Sequence, residues 1–319
     1  MKKKIAISLL VLVAASSALV FVNYKASEAI HIQLQQVNQS YAEMAAHEGL
    51  PALQLAHGAI SANVLTSNYR LHDVQLTMEG LGQVMSLDSI RLSGFKPNTL
   101  ANKGRVQLNG LSLGTGMTLL MPDELSAFVK SVRFHGDYRY RYSPSSGELW
   151  LSQQTSINDE LHFSYQFNFS NMQPLWQWLG QVFAMDSEQQ QELVASASSM
   201  DDIYVALRQV KVNDGEIKLI NEAFLERLLT FTFESGHSPS LDAVRGMAMM
   251  TLAMTDGVPA EFKQSLMSFI ERPKSLTLRF QFAEPISIEA LESGSAFAEF
   301  DSPQAMLEFS GVRLEANER

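Results

Sequence analysis

The side chains best suited to chemistry are thinly spread along this sequence. Seven histidines stand at positions 31, 47, 57, 72, 135, 162 and 237. No two are four apart, so none forms the His pair that a zinc protease places on one helical face. Cysteine is absent, which excludes disulfide scaffolds, thiolate zinc sites, iron–sulfur clusters and cysteine nucleophiles. Neither a phosphate-cradling Gly-x-x-x-x-Gly-Lys nor a dinucleotide-binding Gly-x-Gly-x-x-Gly occurs. His72-Asp73 and His135-x-Asp137 fall in alternating segments, where neighbouring polar residues make a wet sheet face. Asp201-Asp202 reads as a capping or solvated pair, with metal ligation as the alternative.

Met247, Met249, Met250 and Met254 lie close together, with Met267 further on. Thioethers bind Cu(I), but methionine is also an adaptable filler of cores and apolar grooves. Met247, Met250 and Met254 share a helical stripe with Leu241 and Val244, so they are expected to face the core or to line such a groove. Trp176 and Trp178 lie on opposite sides of a helix, so one is expected at a surface. No catalytic residue, metal ligand or cofactor is assigned, and the chain is expected not to be an enzyme. An envelope-polymer hydrolase using carboxylates distant in sequence is the enzymatic alternative.

These residues sit in a chain of 319 with 24 Lys and Arg against 34 Asp and Glu, a formal charge of −10. Three of the cations are Lys2, Lys3 and Lys4, so the remainder carries 21 against 34, or −13. A body so acidic repels phosphate backbones, and nucleic acid is excluded as a partner. The Lys triplet precedes 18 uncharged residues, Ile5 to Val22, enough to span about 30 Å of hydrocarbon. Residues 1–25 are therefore expected to be a signal anchor, with cleavage after Ala18 as the alternative. The positive triplet stays in the cytoplasm, which puts the body in the periplasm of a bacterium, held at the inner membrane.

Residues 26–49 read as a stalk helix. Ile30, Leu34, Val37, Tyr41 and Met44 form one stripe, which serves either to dimerise or to lie on the body. From residue 50 to 319 the pattern turns to alternation. Val74, Leu76 and Met78, and then Ile90 and Leu92, alternate with polar residues, and Asn109-Gly110 suggests a tight hairpin. Phe134, Gly136, Tyr138, Tyr140 and Tyr142 alternate with His135, Asp137, Arg139 and Arg141. Phe163, Tyr165, Phe167 and Phe169 alternate with Ser164, Gln166 and Asn168. One apolar face and one wet face is the habit of antiparallel sheets.

Helical insertions are expected near 172–199, with a second helix opening at Ser187-Glu188, and near 220–272. Strand character returns at Ile203, Val205 and Leu207, with a bulge near Arg208-Gln209 and a turn at Asn213-Asp214-Gly215. The fold class is α+β: an N-terminal membrane helix, then a large, meander-like antiparallel sheet with helices packed on it.

The anchor Lys2–Val22, the run from Gly58-Ala59-Ile60-Ser61 through Tyr69 to Leu76, and Ser89-Ile90-Arg91-Leu92 resemble the AsmA-like class of bacterial envelope proteins. That resemblance implies inner-membrane anchoring and, as in the larger members, lipid handling along a hydrophobic β-groove. This chain is shorter, and its helices between Leu175 and Ile270 are placed to cover such a face.

Two non-enzymatic readings follow. One is an envelope scaffold that binds another envelope protein. The other is a lipid- or apolar-ligand module whose groove includes Phe134, Tyr138, Tyr140, Tyr142, Phe163, Tyr165, Phe167, Met247, Met250 and Met254. Either way the topology is testable: alkaline phosphatase fused to the C-terminus is expected to be active and to fractionate with membranes. A soluble mature form beginning at Leu19 would show cleavage instead.

Overall fold

The computed structural model describes residues 26–63, 67–95, 99–119, 121–185, 189, 193, 197–234 and 240–318. The expected membrane segment, residues 1–25, and the helix start at Ser187-Glu188 lie outside the described residues. No helix among the described residues is long and apolar enough to cross a membrane.

The fold is α+β: an antiparallel sheet of eleven strands with helices packed on it. Helix α1 (Ala26–Glu48) comes first, followed by β1 (Leu53–Ala56), β2 (Ile60–Asn63), β3 (Asn68–Met78), β4 (Gly82–Ser93) and β5 (Lys103–Leu113). Two helices follow, α2 (Thr115–Thr118) and α3 (Asp123–Ser131), then β6 (Phe134–Ser143), β7 (Glu148–Ile157) and β8 (Leu161–Ser170). Next come α4 (Gln173–Ala184), α5 (Ala197–Arg208), β9 (Lys211–Asn221), α6 (Phe224–Glu234), α7 (Leu241–Met254) and α8 (Ala260–Glu271). The chain closes with β10 (Ser275–Ser287), α9 (Ile288–Glu292), α10 (Pro303–Ser310) and β11 (Arg313–Ala316). Along the sheet the order is β1-β3-β4-β5-β6-β7-β8-β9-β10-β11, with β2 also pairing β3. Neighbours in sequence are thus mostly neighbours in space, as in a meander.

The chain divides into two compact units, residues 1–139 with 179–193, and residues 140–178 with 194–319. In the first, Tyr69, Leu71 and Val74 of β3 and Val84, Leu87 and Leu92 of β4 are buried, as are Leu34 and Ala45 of α1. The buried phase of β3 changes between Leu71 and Val74 across Asp73, whose φ is +52°, while the register with β4 is unchanged there and shifts farther on, between Leu76 and Thr77. Helix α1 lies on β1. Asn38 accepts a hydrogen bond from the Leu55 amide at 2.7 Å and donates to the Leu55 carbonyl at 2.9 Å. In the second unit Tyr142, Met172 and Val210 form a small core, with Leu149, Phe169, Leu175, Trp176 and Ile288 packed against it.

Three local expectations are corrected. Asn109-Gly110 is not a hairpin: β5 runs through it, and Gly110, at φ +70°, leaves room for the Asp88 carboxylate, which a Cβ would strike. Ile203, Val205 and Leu207 are not a strand but part of α5, which turns half-buried Ile203 and buried Ala206 inward, followed by buried Val210 just beyond the helix. Asn213-Asp214-Gly215 is not a turn but the middle of β9, where Asn213 and Asp214 accept hydrogen bonds from Ser170 and Asn168 at 2.7 and 2.6 Å.

Within the first unit, Asp137 of β6 receives two guanidinium groups. Arg105 of β5 donates to both of its oxygens at 2.8 and 2.5 Å, and Arg139 does the same at 3.2 and 2.6 Å. Burial pushes the Asp137 pKa up, but the hydrogen bonds and positive charges of Arg105 and Arg139 outweigh it and hold the carboxyl at about 2. The native pKa lies below the ordinary value of 3.8, so the unfolded state binds the proton more readily. The stabilisation is complete above about pH 4 and is lost as pH falls toward 2. Asp137→Asn is expected to lower stability at neutral pH by about 1–2 kcal/mol, after allowance for solvent screening. Near pH 2 the two proteins should converge, as read from urea midpoints at each pH.

Candidate functional site

The second unit carries one apolar sheet face, and strand register defines it. Leu149 pairs with Phe169, Leu151 with Phe167, Gln153 with Tyr165, Thr155 with Phe163 and Ile157 with Leu161. On the far side of β8, Phe163, Tyr165, Phe167 and Phe169 stand opposite Leu219, Ile217, Gly215 and Val212. Leu219, Ile217 and Gly215 meet Leu276, Leu278 and Phe280 of β10, and Leu276 and Leu278 meet Ala316 and Leu314 of β11. Cross-strand partners project from the same side of a sheet, and none of these paired residues carries a carboxylate, amine or guanidinium. The other face holds the charges: Arg279 of β10 bridges Glu216 of β9 at 2.6 Å and Glu315 of β11 at 2.5 Å.

Aromatic rings run along the apolar face as a connected ladder. Phe163, Tyr165, Phe167 and Phe169 follow one another along β8 with centroids 5.2–6.2 Å apart. Phe167 then reaches Phe280 at 6.1 Å, Phe280 reaches Phe282 at 5.4 Å, and Phe282 reaches Phe309 of α10 at 6.2 Å. Phe297 and Phe300 pack on Phe309 in turn. The step from β8 to β10 crosses β9 at Gly215. A Cβ there would run into the Phe167 ring and lie 2.7 Å from Cε1 of Phe280. Glycine is the residue that lets two rings meet across an intervening strand.

The cover over this face is incomplete. Apart from buried Gly215, every residue named on it is half-buried: none is sealed from solvent and none is fully exposed. A sheet face packed beneath its own helices would hide its central residues, because protein interiors close to crystal-like density. Here Phe167, Ile217 and Leu278, in the middle of the face, keep contact with solvent. Gln153, which donates to the Thr155 hydroxyl at 2.7 Å, sets a polar pair on the β7 side of the face.

The residues singled out from sequence divide into groups. Phe163, Tyr165 and Phe167 come together on the ladder. Tyr140 and Tyr142 instead meet Trp176 of α4; Tyr142 stacks on it at 4.2 Å, and burial pushes the Tyr140 hydroxyl up to about 12. Phe134 and Tyr138 are half-buried on the part of β6 that belongs to the first unit. Met247, Met250 and Met254 are 48%, 59% and 74% exposed, so they are not core. Helix α7 turns Leu241, Val244, Arg245, Met249 and Leu252 inward, a stripe one step round the helix from the methionines. Phe280, Phe282 and Phe309 lie outside the expected groove, although Leu276, Leu278, Phe280 and Phe282 alternate in sequence as cleanly as β8.

Chemistry at other positions is weaker. Gly110-Leu111-Ser112-Leu113-Gly114 has the Gly-x-Ser-x-Gly spacing of a hydrolase nucleophile turn, which needs an exposed serine on a strained strand-to-helix bend. Ser112 instead lies inside β5, buried, with its Oγ 2.8 Å from Ser86 Oγ. Among the described residues no group of three or more His, Asp or Glu is placed to hold a metal ion.

Residues 154–317 match the model of a family described as "Uncharacterized protein". The match covers just over half of the 319 residues, and the chain belongs to that family. It begins within β7 and ends just past β11, so it contains nearly all of the apolar face. No curated protein matches the chain.

The closeness of Phe167 and Phe280 makes position 215 a sensitive site. Gly215→Ala is expected to cost about 1–3 kcal/mol by forcing the two rings apart, whereas Gly246→Ala, in open space on α7, should be neutral or slightly stabilising. Urea midpoints of the two variants check the difference.

Proposed function

We propose that this chain binds an apolar, lipid-type ligand along the half-covered face of β7–β11, in a body held at a bacterial inner membrane by residues 5–22. The observation that carries this reading is the exposure pattern: a five-strand apolar face, rich in aromatic rings, whose residues apart from Gly215 are covered only in part. Leaving such a face wet costs roughly 25 cal/mol per Å² of apolar surface, a cost that an acyl chain lying on the ladder removes. The resemblance to the AsmA-like class points the same way. Because the paired residues of this face carry no charge, it favours an uncharged tail or a neutral head over the phosphate of an anionic lipid.

Purified full-length protein is expected to carry lipid detectable by mass spectrometry after solvent extraction, and to take up a fluorescent fatty-acyl probe. Ile217→Asp puts a carboxylate at the centre of the face and should weaken probe binding by about tenfold or more. Gln166→Asp, on the opposite face, should leave it unchanged. Protein free of lipid that also fails to bind the probe would sink the reading.

A second reading rests on other side chains. Met247, Met250 and Met254 on α7, with Tyr204, Val205 and Leu207 on α5, are exposed large apolar side chains. A protein partner of the envelope would cover them, since methionine-rich patches suit adaptable contacts. On that reading Met250→Lys abolishes an association in solution and leaves probe binding intact.

A further inference from the structure

Helix α1 and the loop after β1 are joined by two imidazoles. His31 Nδ1 lies 3.3 Å from His57 Nε2, with the ring planes 79° apart. Two nitrogens bound to one tetrahedral zinc at 2.0–2.1 Å stand about 3.3–3.4 Å apart. The two rings therefore already hold the spacing of one edge of a zinc coordination shell.

The hydrogen bonds around the pair suit the same role. His57 Nδ1 lies 2.8 Å from the Gly58 carbonyl. A carbonyl only accepts, so Nδ1 carries the proton and Nε2 turns its lone pair toward His31. His31 Nε2 lies 3.4 Å from the Gln35 side-chain amide, which can present either its oxygen or its nitrogen. Without a cation, His31 donates from Nδ1 to His57. With one, the His31 proton moves to Nε2, Gln35 turns its oxygen to accept it, and both lone pairs are free to bind. Neither ring changes charge. Asp73 packs against Gly58, the residue that follows His57, where a Cβ would be 2.9 Å from its Oδ2.

We propose that His31 and His57 form a two-histidine seat for Zn²⁺, stapling α1 to the connection between β1 and β2. No third His, Asp or Glu ligand joins them among the described residues, so water completes the shell. The seat is held in place before the ion arrives. Asn38, two turns along α1 from His31, already grips both backbone groups of Leu55.

Calorimetric titration of the full-length chain with ZnSO₄ tests this, with MgCl₂ as the control because Mg²⁺ prefers oxygen ligands. One Zn²⁺ per chain is expected, together with a rise in Tm that grows with Zn²⁺ concentration and no response to Mg²⁺. His31→Ala and His57→Ala should each weaken Zn²⁺ binding by more than about tenfold. His47→Ala, on the same helix, should not. Circular dichroism of both seat variants, expected to match the parent because the two side chains lie near the surface, separates loss of a ligand from loss of fold. Absence of Zn²⁺ binding, or binding that persists in folded His57→Ala protein, overturns the proposal.

Discussion

A missing side chain at position 215 governs the second half of this molecule. Neighbouring strands in a sheet are about 4.8 Å apart, so residues on β8 and β10 are separated by the full width of β9. Rings on those outer strands touch only where the middle strand offers no Cβ. Gly215 is that point, and through it the aromatic row of β8 continues into Phe280, Phe282 and Phe309. Without the contact there would be two separate aromatic rows; with it there is one continuous surface that runs from strand to helix.

The same register that aligns the rings segregates charge. Glu216 and Lys218 alternate with Gly215, Ile217 and Leu219, and Arg279 alternates with Leu278 and Phe280, so these three charges project from the far side. There Arg279 is shared by two carboxylates on the flanking strands, and its guanidinium pKa is raised by the Glu216 and Glu315 partners. Side-on, cross-strand ion pairs of this type are exposed and worth little each, but they fix which way the strands face. A slip of one residue would bring Glu216 and Arg279 onto the aromatic side. The polar face is thus the reason that the apolar face stays free of charge.

Much of the sheet was legible because period-two alternation is strong where one face is wet. Phe134–Tyr142, Leu161–Phe169 and Leu276–Phe282 all read as strands and are strands. The failures share one physical cause: a short motif reports local preference, and a distant partner decides its use. Asn109-Gly110 has the composition of a turn, yet the glycine serves a carboxylate on the neighbouring strand. Ile203, Val205 and Leu207 satisfy period two, but Ile203, Ala206 and Val210 satisfy the helical period equally well, and burial selects the second set. On α7 two adjacent stripes were both apolar, and the sequence held no signal that the one containing Met247, Met250 and Met254 would face out. The ladder itself was only half visible, because its link between β8 and β10 depends on what a glycine lacks.

The grip of Asn38 on Leu55 has a consequence for how this chain behaves among its own copies. An outermost strand offers unpaired amides and carbonyls, and another polypeptide can dock on them and seed stacking without limit. On β1 the Asn38 carboxamide imitates that incoming polypeptide, giving one acceptor and one donor to the same residue, as a neighbouring backbone would. The helix therefore acts as a terminator for sheet growth at that edge, and chains whose amide at position 38 is lost should be more prone to fibrillar self-assembly.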